Sequence, residues 1–403
     1  MSHMLTNARQ VAADWLESGA DRRRAPDEKP ERWYALGDPQ TTFAQMLAVL
    51  DHHGLVGADG WLRADVGLVS MGDHFDYALR QDPSDAAVAQ AAREGIAILS
   101  WLAAHRTDQV VILFGNHDAA RVQELAGVSD AAFVRARQVA AAVARGERSE
   151  ADFLRACPGI PTSDLVRRDF CTFSTDQQRL VQRLLLAQRY RLATVMTVLG
   201  REALLTHAGI TTRELRLLEL PESAAPAEIV EALTRRLSEA VESVRADWEA
   251  RRTVPLNLEP LHIAGQPPDE AGGMLAHRPA DPHRCGDQRP VDIAWEFRVD
   301  RPRRYDPATL PLGLVQVVGH TRHRSSLREL GRWATPAAAS ASRAVLRTLT
   351  VWDGGARYEV GCVAGRPGDA VLVMVDADIN AVAAEAVPLL SIGARTSTAE
   401  RPK

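Results

Sequence analysis

Five short apolar runs, each ending in glycine or in small and polar residues, constrain the fold of this 403-residue chain more than any other feature. The runs are Trp33–Leu36, Val66–Met71, Gln109–Phe114, Ala203–Thr206 and Leu314–Val318. A short apolar run bounded by turn residues is typical of a buried strand. Helical patterns at Phe43–His53 and Ala86–His105 separate the early runs. Alternating strands and helices predict an α/β fold.

Polar clusters follow all five predicted strands. They are Gly37-Asp38-Pro39-Gln40, Gly72-Asp73-His74-Phe75-Asp76, Gly115-Asn116-His117-Asp118, His207-Ala208-Gly209 and Gly319-His320-Thr321. Ligands of α/β sheets bind outside the carboxyl ends of the strands, so the clusters are expected to meet at one site. Carboxylate, amide and imidazole ligands without cysteine suit divalent ions such as Mn, Fe or Zn. Carboxylates on neighbouring strands are able to bridge two metals about 3.5–4 Å apart, the spacing used for displacement at phosphorus.

Each cluster also has an ordinary structural explanation. An Asp after a strand can cap a helix, Gly-Asn can form a turn, and a single His is commonly a hydrogen-bonded core residue. Five such clusters in order, each directly after an apolar run, favour a metal site over five separate explanations.

The ordered set of motifs resembles the calcineurin-like metallophosphoesterases, over roughly residues 33–376, and is nearest to their protein-phosphatase and diadenosine-tetraphosphatase-like branches. The resemblance implies a four-layer α-β-β-α sandwich with two mixed sheets and helical insertions. It implies hydrolysis of a phosphomonoester or phosphoanhydride by hydroxide bound at a dinuclear site. The cofactors would be two divalent ions, with Mn²⁺ the first choice and Fe, Zn or Mg as alternatives. The partner would be a small phosphorylated substrate or a phosphoprotein.

The resemblance also assigns site residues by position. The implied metal ligands, with Asp73 shared between the two ions, are Asp38, Gln40, Asp73, Asn116, His207 and His320. His117 would act as general acid at the leaving oxygen or steady the phosphoryl group, with Asp76 orienting it. Arg298 and Arg278 are the candidate phosphate-binding residues, because bidentate arginine suits a phosphoryl group.

Three positions depart from the family's pattern. Gln40 stands where the first motif usually has His, Tyr77 where the second often has Arg, and Arg322 where the last can have a second His. An amide oxygen is a weaker donor than imidazole, so binding of the first metal is expected to differ. Tyr77 argues against a protein Ser/Thr phosphatase. These departures also keep open an alternative, a catalytically weak pseudophosphatase that binds a phosphorylated partner or acts as a scaffold.

The remaining sequence divides around these motifs. We predict an N-terminal helix and linker over residues 1–30, a single domain over 31–392 and a tail over 393–403, with helical insertions at about 120–200 and 211–290. Further helices are expected to begin after Ser174 and at Pro226. The segment 255–290 has no periodicity and is expected to cross the mouth of the site. A strand, turn and strand over 347–363 and another strand over 370–376 predict a mixed or antiparallel sheet.

Charge and hydropathy exclude other classes. The formal net charge of −4 gives no basic surface, which argues against nucleic-acid binding. No apolar run approaches the roughly 18 residues of a membrane span, so we expect a cytoplasmic protein without a membrane partner.

Overall fold

The computed structural model of the chain describes residues 2–19, 29–77, 84–283 and 297–393. Its α-helices are α1 (Ser2–Ser18), α2 (Phe43–His52), α3 (Asp85–Ala104), α4 (Asn116–Ala120), α5 (Asp130–Ala144), α6 (Glu150–Ala156), α7 (Thr175–Leu186), α8 (Thr212–Leu217), α9 (Pro226–Glu249), α10 (His323–Leu330) and α11 (Pro336–Ser340). A π-helical turn covers Leu165–Asp169. Its strands are β1 (Arg32–Leu36), β2 (Val66–Ser70), β3 (Val110–Leu113), β4 (Tyr190–Arg191), β5 (Ala193–Val198), β6 (Arg201–Thr206), β7 (His262–Ile263), β8 (Gly272–Gly273), β9 (Arg278–Pro279), β10 (Arg304–Tyr305), β11 (Val315–Val318), β12 (Arg347–Trp352), β13 (Gly355–Val360), β14 (Ala370–Met374) and β15 (Leu390–Ile392).

The chain is a mixed α/β protein, and all five apolar runs form strands. One sheet has the order β15-β1-β2-β3-β4, and a second has the order β13-β12-β14-β11-β6-β5. Strands β1 to β4 are parallel, as are β6, β11 and β14, and the remaining pairings in both sheets are antiparallel. Because the motif-bearing strands are parallel within each sheet, their carboxyl ends lie at one edge of that sheet.

Apolar side chains of the two large sheets share one buried cluster. Its members include Trp33, Val69 and Leu113 of the first sheet and Leu205, Val317 and Val373 of the second. These strands are buried on both faces, because the alternate residues Leu68, Ile112 and Leu372 belong to clusters that also contain helical residues. Complete burial of such a side chain contributes about 1.5–3 kcal/mol, so the cluster fixes how the sheets face each other.

The predicted helix starts are confirmed, with local causes. Ser174 and Gln177 form the capping box of α7, and Pro226 begins α9. The apolar residues that recur along α9, from Ile229 to Trp248, are buried in the core. Helix α1 packs on α3 through Val11, Ala12 and Trp15, within the same buried cluster.

The structure differs from the expected elements in two places. The predicted helical insertion at about 120–200 contains α5, α6 and α7 but ends in β4 and β5, which extend the two sheets. Strand β15, close to the chain end, pairs antiparallel with β1. Strands β4 and β15 gain their pairing from distant residues rather than from local pattern. Strand β5 instead forms a hairpin with β6 through Leu199 and Gly200, which was not predicted. The described part of the irregular segment, 255–283, contains no helix. No described helix is long and apolar enough to cross a membrane.

Candidate metal centre

The predicted site residues follow the carboxyl ends of five strands from the two large sheets. Asp38 follows β1, Asp73 and Asp76 follow β2, Asn116 and His117 begin α4 after β3, His207 follows β6, and His320 follows β11. Asp73, Asp76 and His320 have left-handed backbone conformations, with φ of 56°, 65° and 57°. Non-glycine residues adopt such conformations at a cost of about 1–3 kcal/mol, and they concentrate at functional sites.

Asp73, His207 and His320 bring their ligand atoms together. One ligand atom from each of these buried residues lies within 4.8 Å of the other two. Asp73 Oδ1 is 3.3 Å from His207 Nε2. The amide oxygen of Asn116 is 3.1 Å from the same nitrogen. A carboxylate, an amide oxygen and two imidazoles therefore converge, which is a donor set that suits a divalent transition metal.

Backbone carbonyls orient both imidazoles for ligation. His207 Nδ1 donates to the Met71 carbonyl at 2.8 Å, and His320 Nε2 donates to the Ala276 carbonyl at 2.9 Å. A carbonyl oxygen only accepts, so each of these nitrogens carries the proton and the opposite ring nitrogen is left to bind a metal. Ala276 lies in the irregular segment, whose described part therefore contacts the site through this carbonyl.

The buried charged groups of the cluster shift one another's pKa values. Although burial opposes its ionisation, the imidazoles of His207 and His117 lower the pKa of Asp73. Burial disfavours the charge on His207, but Asp73 and Asp38 raise its pKa to about 9. Burial, followed by Asp376, raises the pKa of Asp38 well above its ordinary value. A bound metal displaces the His207 proton and balances the carboxylates instead.

His117 and Asp76 form a hydrogen-bonded pair beside these ligands. His117 Nδ1 donates to Asp76 Oδ2 at 2.9 Å, and its Nε2 lies 3.7 Å from Asp73 Oδ2. The His117 side chain is 13% exposed, so it is accessible from solvent. Burial opposes the charge on His117, yet Asp73 and Asp76 raise its pKa above the ordinary value. The geometry is that of an imidazole held by a carboxylate to deliver a proton.

Two residues that sequence reasoning missed hold Asp76. Arg121 Nη1 is 2.7 Å from Asp76 Oδ2, and both side chains are fully buried. The backbone N–H and hydroxyl of Thr172 donate to Asp76 Oδ1 at 2.8 and 2.7 Å. Burial raises the pKa of Asp76, but Arg121 and His117 outweigh it and leave the pKa at about 2. Arg121 lies five residues beyond Asn116, so its proximity to the motif was its one sequence signal.

Asp118 and His74 support the backbone of the site. Asp118 accepts from the backbone N–H groups of Asp73, His74 and Gly115, and its carboxylate also binds His74 Nδ1. The other ring nitrogen of His74 pairs with Ser70 at 2.9 Å. With both ring nitrogens engaged and the side chain buried, His74 is structural.

Asp38 and Gln40 are not members of the three-ligand group, although Asp38 Oδ1 is 4.0 Å from His207 Nδ1. Both oxygens of Asp38 accept from the backbone N–H of His320, at 3.0 and 2.9 Å. The amide oxygen of Gln40 accepts from Arg322 Nη2 at 2.8 Å. Asp376, which sequence reasoning placed in a strand but not at the site, is buried nearby. Asp376 follows an apolar run directly, as the predicted site carboxylates do, so the sequence pattern could have identified it.

The two candidate phosphate-binding arginines have different surroundings. Arg298 is an exposed residue that pairs with Asp300 two positions on. Burial lowers the pKa of His320 most, and the next largest effect is the positive charge of the nearby Arg278, which lowers it further. Burial and the neighbouring Arg304 lower the pKa of Arg278 itself to about 10. The buried Nε of Arg278 has no hydrogen-bond partner among the described residues, which leaves it available to an anion.

Comparisons with known proteins give little beyond this geometry. No family model matches the chain, and no curated protein matches it. Among solved structures, a cold-active protein-tyrosine phosphatase of the psychrophile Shewanella sp. is 15% identical, with 89% of this chain and 75% of that chain covered at a TM-score of 0.35. A second structure of a cold-active protein-tyrosine phosphatase is 16% identical, with 75% and 69% covered at a TM-score of 0.31. Such low TM-scores establish neither a shared fold nor a shared activity, so function has to be argued from the site.

Proposed function

We propose that the chain is a metal-dependent phosphoesterase of the calcineurin-like type, built as a four-layer α-β-β-α sandwich. The observation that carries the proposal is the convergence of Asp73, His207 and His320, with one ligand atom of each within 4.8 Å, directly beside the His117–Asp76 pair. Asn116 adds an oxygen donor to the same centre. A metal held by these four side chains supplies a hydrolytic nucleophile at neutral pH and neutralises charge on the phosphoryl group.

The protein's own residues supply binding and proton transfer. His117 holds a proton on Nε2 while its Nδ1 stays fixed on Asp76, so the proton is directed into the site toward a leaving oxygen. Arg278 binds a phosphoryl oxygen through its unpartnered N–H. Arg121 and Thr172 keep Asp76 ionised and immobile, which keeps the imidazole in one orientation.

The substrate is proposed to be a small phosphomonoester or phosphoanhydride. A phosphoryl group suits a centre that combines a divalent metal ion, the proton donor His117 and the buried Arg278. The negative net charge of the chain offers no support for a polynucleotide substrate.

Metal content and turnover together test this proposal. Protein loaded with Mn²⁺ is assayed on p-nitrophenyl phosphate and diadenosine tetraphosphate, before and after chelation. We expect turnover that is lost with the metal and returns with Mn²⁺. His207→Ala should lose both metal and turnover, whereas the control His53→Ala, whose ring binds the Val387 carbonyl away from these ligands, should keep both. Absence of metal and of turnover in the wild-type protein would overturn the proposal.

A further inference from the structure

A guanidinium group lies where the family resemblance implies the first of the two metals, the one bound by Asp38 and Gln40. Arg322 Nη2 donates to the Gln40 amide oxygen at 2.8 Å, and this oxygen is the implied ligand of that metal. Arg322 Nη1 is 3.4 Å from Asp378 Oδ1, and its Nε is 3.7 Å from Asp376 Oδ2. The carboxylates and the amide that surround this position are therefore already turned toward a cation that belongs to the chain.

Further arginines compensate the same carboxylates. Arg347, which is fully buried, donates to the backbone carbonyl of Asp376 at 2.7 Å. Arg343 is 3.8 Å from Asp378 Oδ2. A divalent ion placed beside Gln40 would be repelled by Arg322 at close range in a partly buried environment, where charges are screened less than at the open surface.

The two halves of the centre consequently differ in chemistry. Around Asp73, each of the two imidazoles binds a backbone carbonyl through one ring nitrogen, and its other ring nitrogen is able to bind a metal. Around Asp38 and Gln40, His207 Nδ1 lies 4.0 Å from Asp38 Oδ1, but this nitrogen already donates to the Met71 carbonyl. The Gln40 amide oxygen is already hydrogen-bonded to a cation. The donor set beside Asp38 and Gln40 therefore does not fit a metal ion.

We propose that the centre binds one metal ion per chain and that the Arg322 guanidinium supplies the second positive charge, between Gln40 and Asp376. This inference rests on the proposed function, because it assumes a metal at Asp73, Asn116, His207 and His320. The Arg322 side chain is 35% exposed and a guanidinium has five N–H donors, so part of the group remains free to bind a phosphoryl oxygen.

Metal stoichiometry tests the inference without relying on activity. Wild-type protein, Arg322→His/Gln40→His and Arg343→His are each saturated with Mn²⁺, freed of excess metal by gel filtration and measured by elemental analysis. Electron paramagnetic resonance then distinguishes an isolated Mn²⁺ ion from a coupled pair. Arg343→His is the matched control, since it removes an arginine from the same Asp378 without touching Gln40. Circular dichroism and thermal unfolding report whether each variant is folded.

We expect one isolated Mn²⁺ per chain in the wild-type protein and in Arg343→His, and a coupled pair in the double His variant. Two coupled ions in the wild-type protein would overturn the inference while leaving the proposed function intact. A folded double variant that still binds a single ion would refute the assignment of Arg322 to the metal position beside Gln40. Absence of metal from the wild-type protein would overturn the inference and the proposed function together.

Discussion

The buried pair of Arg121 and Asp76 gives the most quantitative prediction. Replacing Arg121 by Met keeps most of the side-chain volume but leaves the Asp76 carboxylate buried without its 2.7 Å partner. Removing one member of a buried ion pair typically costs about 3–5 kcal/mol. The pKa of Asp76 gives an independent figure: a fall from its ordinary value of 3.8 to about 2 on folding corresponds to roughly 2–3 kcal/mol at neutral pH.

The sign of that contribution is fixed by the direction of the pKa change. A carboxyl group whose pKa is lowered by folding stabilises the protein above its ordinary pKa, and the stabilisation is lost as the pH falls toward about 2. The stability difference between wild type and Arg121→Met should therefore be complete at pH 7. It should shrink as the pH falls through the acid range, because the buried carboxyl without Arg121 takes up a proton at higher pH than that of the wild type.

A double-mutant cycle measures the pair directly. Wild type, Arg121→Met, Asp76→Asn and the double variant are unfolded in urea at pH 7 and followed by fluorescence of the eight tryptophans. We expect Arg121→Met to lose about 3–5 kcal/mol, with a coupling energy of roughly 2–3 kcal/mol between the two changes. A cost below about 1 kcal/mol, or strictly additive changes, would refute the reasoning, because intact buried pairs are coupled.

Three further changes test individual parts of the site. His117→Asn should keep its metal by elemental analysis but lose turnover by about 10²–10⁴-fold, the usual contribution of a proton donor; loss of metal instead would make His117 a ligand. Arg278→Met should lower kcat/KM by roughly 10–100-fold, since a hydrogen bond to a charged group contributes about 1.5–3 kcal/mol, while the control Arg298→Met should leave kcat/KM unchanged. Gly115→Ala would place a Cβ against the carboxylate and backbone of Asp73. It should therefore lower the melting temperature and weaken Mn²⁺ binding, at a cost of about 1–3 kcal/mol. A wild-type melting temperature and wild-type Mn²⁺ affinity would show that the backbone shifts to accommodate the Cβ.

The strands that carry the site were predictable because they are buried on both faces. Runs such as Val66–Met71 and Gln109–Phe114 are almost continuously apolar, a pattern that is typical of strands covered on both faces. Strands β4 and β15 were not predicted, since they are short edge strands defined by pairing with residues far away in sequence. Strand β5 was not predicted either, although it pairs with the adjacent strand β6. The same contrast separates α9, whose apolar periodicity is strong, from the two-residue strands β7 to β10.

The convergence of Asp73, His207 and His320 was predictable from strand order, but their supporting contacts were not. Arg121, Thr172 and the Ala276 carbonyl reach the site through loops and helices whose path the sequence does not specify. The arginine-rich composition also hid the difference between Arg278, buried beside His320, and Arg298, exposed beside Asp300. Only the folded positions separate an arginine that faces the centre from one on the surface.

In the proposed function, Asp73, Asn116, His207 and His320 hold the metal at which a phosphoester is hydrolysed. Anomalous diffraction from crystals soaked in Mn²⁺, recorded on both sides of the manganese edge, tests it most directly. We expect an anomalous peak at ligand distance, about 2.0–2.5 Å, from the Asp73 carboxylate and from His207 Nε2. A peak elsewhere, or none among these four side chains at saturating Mn²⁺, would contradict it.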